Sequence, residues 1–150
     1  MAGTNNLGAQ MNPADYLSLK AEITNDPKAL GYASKSDYEI SVVMNTPGAS
    51  AETLFRSYTP VEDLVACIVR AEYDALAAAG KTYLDMAFSG TKVKTGDSTL
   101  RTQIGTVFGA GTTTRTNLTN AASRAASRAE ILFGENAYVS DQDVAIARNI

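Results

Sequence analysis

The 150 residues are 45% hydrophobic and carry 13 Lys+Arg against 16 Asp+Glu, a formal charge of −3. That length and apolar share suffice for one folded domain with a core, and so mild a charge predicts no strong pull toward nucleic acid or an anionic membrane. With no histidine and a single cysteine, the commonest general base, the usual zinc ligand and any internal disulfide are excluded.

The opening, MAGTNNLGAQMNP, is polar and lacks a signal-peptide pattern. Residues 1–11 are expected to form a flexible arm, and residues 12–150 a single all-helical domain. Asn12-Pro13 reads as an N-cap with proline at the first helical position, and Asp15 suits the first-turn dipole. Tyr16, Leu19 and Ile23 carry that helix to about Thr24, where Asp26-Pro27 ends it. Ser36 and Glu39 match a capping box ahead of Ile40, Val43 and Met44. SAETLFR reads as a short helical turn. Thr59-Pro60 with Glu62 repeats the cap, proline and acid signal and opens an apolar stretch over 60–88, read as two or three helices broken near Arg70 and Gly80. Cys67 lies in that stretch and is expected to be a buried, inert thiol. SGTKVKTGD is a loop with a short extended piece. Ser98 caps a helix bearing Leu100, Ile104, Val107 and Phe108, which Gly109 and Gly111 end. A threonine near Thr114 caps a long helix running to Phe133, with Gly134 as its C-terminal glycine. NAYVS is an extended link, and Ser140 with Asp143 caps the last helix. The expected fold is all-α, a single-domain irregular or orthogonal bundle of about six to eight short helices. No stretch approaches the ~18 apolar residues of a membrane-spanning helix.

The tripeptide Ser-Arg-Ala occurs at Ser123–Ala125 and again at Ser127–Ala129. On one helix, Leu118, Ala122, Ala125, Ala129 and Leu132 form a heptad seam, with Arg124 and Arg128 sharing another face. Small residues at its centre admit a close neighbour, either within the chain or from another subunit. These seven residues are the candidate interface.

No reaction centre emerges. FGAGTTTR lacks the lysine and the preceding strand of a phosphate loop, and helix ends explain its glycines. Glu62-Asp63 and the pair Glu72, Asp74 are the acid–base candidates, and neither comes with a nucleophile or a metal motif. The expectation is a protein that is not an enzyme, with no catalytic, metal or cofactor site. Lys92, Lys94, Arg101, Arg115, Arg124 and Arg128 could meet a nucleic-acid backbone, but overall acidity and the lack of a recognition motif favour a solvated face. The charge divides unevenly: residues 1–90 balance to −5 and residues 91–150 to +2.

LKAEITNDPKALGYASKSDYEI at 19–40 and GTVFGAGTTTRTNLTNAASRAASRAEILFGENAYVSDQDVAIAR at 105–148 resemble the two ends of a group of small tailed-bacteriophage proteins encoded among particle-assembly genes. The resemblance implies a structural virion protein, made in the host cytoplasm. It is placed first in the neck, as a head-to-tail connector or completion component in a homo-oligomeric ring. Its implied partners are other copies of itself and other virion proteins, with DNA met only by non-specific proximity and no membrane partner. A phage assembly chaperone or host-protein binder outside the virion is the alternative.

Overall fold

A computed structural model describes residues 11–150. In chain order the elements are α1 (Pro13–Asn25), a 3-10 turn (Tyr32–Ser34), α2 (Asp37–Asn45), β1 (Thr53–Phe55), β2 (Thr59–Pro60), α3 (Val61–Val65), α4 (Arg70–Asp74), α5 (Ala78–Ala87), β3 (Lys92–Val93), α6 (Ser98–Phe108), α7 (Thr113–Ala122), β4 (Ser123–Ala125), α8 (Arg128–Phe133) and α9 (Asp141–Asn149). The described chain is therefore mostly helical, with β1–β4 and β2–β3 as two small two-stranded ribbons. The ribbons correct the all-α expectation.

The described residues form two compact units. The first comprises residues 11–53 together with Ala125–Ile150, and the second is Leu54–Arg124. The first unit holds five Lys+Arg and ten Asp+Glu, net −5, and the second holds eight and six, net +2. They are called the acidic and the basic unit below.

The acidic unit packs α1, α2, α8 and α9 around Leu19, Tyr32, Ile40, Met44, Val139 and Val144, all fully buried. Each large apolar side chain removed from water there contributes about 1.5–3 kcal/mol. Met11, assigned above to an arm, is 4% exposed and belongs to this core; the rest of the expected arm, residues 1–10, lies outside the described residues. The caps form as their chemistry dictates. The Asn12 side chain accepts from the Asp15 backbone N–H at 2.8 Å, and Ser36 with Glu39 and Ser140 with Asp143 close reciprocal capping boxes. Asp26 ends α1 in the left-handed region, at φ 40°. Its carboxylate then accepts from the backbone N–H groups of Leu30 and Gly31, each at 2.7 Å.

The basic unit builds its core from Leu64, Leu84, Val93, Ile104, Phe108 and Leu118. Thr59 and Thr95, both buried, share a hydroxyl hydrogen bond of 2.8 Å beside the ribbon in which Thr59 pairs with Val93 and Pro60 with Lys92. Thr59 is thus a strand residue and not the cap its sequence context suggests. SAETLFR supplies β1 instead of a helical turn, and Gly80 lies inside α5 instead of at a break. Cys67 is half-buried; its thiol donates to the Asp63 carbonyl at 3.2 Å, and burial followed by the Asp63 charge pushes its pKa up.

Candidate functional site

The long helix expected from Thr114 to Phe133 does not form. Backbone partners explain why. In a continuous helix the Ala126 N–H would donate to the Ala122 carbonyl. Instead the Ala122 carbonyl accepts from Arg56 N–H at 2.7 Å, and Ala126 N–H donates to the Glu52 carbonyl at 3.0 Å. Ser123 then turns extended, at φ −101° and ψ 156°, while its hydroxyl donates back to the Thr119 carbonyl at 2.7 Å. Ser127 restarts the helix through a capping box with Glu130. The first Ser-Arg-Ala is strand β4, and the second opens α8 from its cap.

The heptad seam is therefore divided. Leu118 and Ala122 are buried in the basic unit, whereas Ala129 is fully buried in the acidic unit with Leu132 packed beside it. Ala125 is exposed and Arg124 half-buried, both in β4. The seven residues share no helix face, because β4 separates the helices that carry them.

Arg128 is the residue whose placement departs furthest from the sequence reading. It is 7% exposed and forks onto two carboxylates. Nε and Nη2 donate to Glu22 Oε1 and Oε2 at 2.8 and 2.9 Å, and Nη1 donates to Glu52 Oε1 and Oε2 at 3.1 and 3.0 Å. Glu52 also pairs with Lys28 at 3.2 Å and accepts from the Ser50 hydroxyl at 2.7 Å. Tyr32 O–H donates to Glu22 Oε1 at 3.3 Å. Hydrogen bonds to Glu22 hold the Arg128 guanidinium charged more firmly than usual, against the opposing effect of burial. Burial works against the Glu52 charge, but Ser50, Lys28 and Arg128 outweigh it and hold that carboxyl below its usual range. Burial, and then the Glu22 charge, push the Tyr32 phenol well above its ordinary value. The network can hold α1, α8 and the segment before β1 in register; its hydrogen bonds are spent internally, so Arg128 has no fork left for a phosphate.

The acid–base candidates are likewise structural. Glu72 caps α7, accepting from Thr113 and Thr114 N–H at 2.8 and 2.7 Å. Hydrogen bonds from Thr114, side chain and backbone, and then from Thr113 depress its pKa, the opposite of a general acid. Asp74 pairs with Arg70 at 3.2 Å one helical turn away. Glu62 and Asp63 lie exposed in the first turn of α3. Among the described residues, no group of three or more His, Cys, Asp or Glu could hold a metal ion, and no helix is long and apolar enough to cross a membrane.

Large apolar side chains remain outside both cores. Tyr38 and Val42, one turn apart on α2, are 67% and 45% exposed. Leu17 on α1 is 62% exposed, and Met86 on α5 66%. The sequence reading missed Glu22, Glu52 and Tyr32 as one network, because Arg128, which joins it, lies 106 positions from Glu22 and 76 from Glu52. Compared with known proteins, the chain matches no family model, no curated protein and no solved structure.

Proposed function

We propose that this chain is a structural component of a tailed-bacteriophage particle, placed in the neck as a ring-forming connector or completion protein. The observation that carries the reading is the division of charge: one compact unit at −5 and the other at +2. A ring needs heterologous contacts, in which one patch meets a different patch on the next copy. An acidic unit facing a basic unit of the neighbour supplies that complementarity, and like faces repel. The exposed Tyr38 and Val42 on one face of α2 give such a contact apolar area. The resemblance of residues 19–40 and 105–148 to small phage assembly-module proteins supports the setting.

Two measurements test it together. Mass spectrometry of purified particles is expected to find the chain at a fixed copy number, and light scattering of the purified protein at low salt to find an oligomer. A monomer absent from particles would overturn the proposal. Absence from particles with a stable cytosolic partner in pull-downs would replace it with an assembly factor that leaves before completion.

A further inference from the structure

The basic unit contains a cavity of about 210 Å³ whose apolar wall is made by Leu64, Phe88, Ile104 and Leu118. Arg101 and Arg115 line it too, and no carboxylate does. Neither arginine takes part in an ion pair among the described residues. Arg101 is fixed at two points: Nη1 donates to the Thr95 carbonyl at 2.7 Å, and the guanidinium lies 3.8 Å from the Phe55 ring centroid. Arg115 reaches the same helix face from α7. It lies against Gly105, where a Cβ would stand 3.2 Å from Arg115 Nε and 3.4 Å from Nη2. Gly105 is one turn beyond Arg101 on α6, so the two guanidiniums arrive on one side of one helix. Both guanidiniums line the cavity with no carboxylate beside them there, and an incoming carboxylate matches the planar fork of such a group.

We propose that this cleft binds a compact organic carboxylate, its apolar body against Leu64, Ile104 and Leu118 and its carboxylate on Arg101 and Arg115. The volume lies below the ~300–1,000 Å³ of typical ligand sites, which suits one ring or branched side chain and excludes a nucleotide. The same chemistry comes from a free acid or from the last residue of a peptide.

The test is an NMR titration of the full chain, following methyl groups and arginine Nε–H groups. The probes are phenylacetate and the tripeptide Gly-Gly-Phe with a free carboxylate, each against its neutral amide. Saturable shifts at Leu64, Ile104 and Leu118 methyls and at both arginines are expected, with the amides at least about tenfold weaker. Saturation by phenylacetate alone marks a free acid as ligand, and saturation by the tripeptide marks a chain terminus. Arg115→Gln, at an exposed position, is expected to weaken the acid about tenfold. Gly105→Ala keeps every charge but displaces Arg115 and is expected to weaken it as well. The proposal is overturned if neither acid saturates, if the amides bind equally well, or if Arg115→Gln leaves the affinity unchanged.

Discussion

Arg128 shows how far one residue's role depends on partners remote in sequence. A guanidinium that forks onto two carboxylates satisfies its donors, and among the described residues no buried side-chain nitrogen or oxygen lacks a partner. Removing it leaves Glu22, with 3% side-chain exposure, charged and bonded only by a tyrosine hydroxyl. Arg128→Met is therefore expected to lower unfolding free energy by about 3–5 kcal/mol in urea titration. Glu22→Met with Arg128→Met is expected to recover most of that, since no buried charge is then orphaned. A single variant within about 1 kcal/mol of wild type would show that water reaches the pair. Tyr32 gives a second reading of the same network. Its pKa is raised above the ordinary 10.0, so the folded chain keeps a proton that the unfolded chain gives up. The stability it contributes is whole below pH 10.0 and is lost as pH rises past that value. Absorbance titration of the folded protein should show the Tyr32 phenol ionising only as the fold is lost. Complete titration with the fold intact would contradict the burial of Tyr32.

Helix starts were legible because a cap is local chemistry: Asn12, Ser36 and Ser140 each cap where a side-chain oxygen precedes a free N–H. Ser127 and Glu130 carry the same S-x-x-E signal, but the small and apolar residues at 118, 122, 125, 129 and 132 recur at spacings of four and three, the pattern of a continuous helix. What broke it lies some seventy residues upstream, in the backbone of Glu52 and Arg56. No local pattern encodes those bonds. The ribbons were hidden for a related reason, since strands of two or three residues are too short to show alternation. The cleft was half legible: Arg101 and Arg115 stood out as cations, but Gly105 as the space that brings them together needed coordinates. Ser127→Ala removes the cap of α8 at a buried position and is expected to cost at least about 1 kcal/mol by denaturation. Loss of less than a few tenths would mean α8 holds without its cap. Glu72 stabilises the start of α7 as a carboxylate with a lowered pKa. Its contribution is present above the ordinary carboxyl value of 4.5 and is lost as pH falls through the lower folded value. Glu72→Gln should therefore speed hydrogen exchange at Thr113 and Thr114 N–H at neutral pH and flatten the acid dependence there.

For the molecule as a whole, what matters is that the two units differ in sign. The sequence shows an excess of acid before residue 90 and of base after it, but the fold redistributes those charges: Ala125–Ile150 joins the acidic unit and Leu54 onward the basic one. Charge complementarity of this kind acts across solvent and decays within about 8–10 Å at physiological salt. If copies associate head to tail through it, the average mass must fall with ionic strength, whereas a contact resting on Tyr38 and Val42 alone would hold or strengthen. Lys94 offers a clean perturbation, because it is exposed and lies beyond the two-residue pairing of β3. Lys94→Glu takes the basic unit from +2 to neutral. Light scattering is expected to show a lower mass than wild type at about 0.05 M salt and no difference at about 0.5 M, where screening has already removed the attraction. An unchanged mass at low salt, with the circular dichroism of the folded chain preserved, would separate assembly from charge and leave the apolar face of α2 as the contact to pursue.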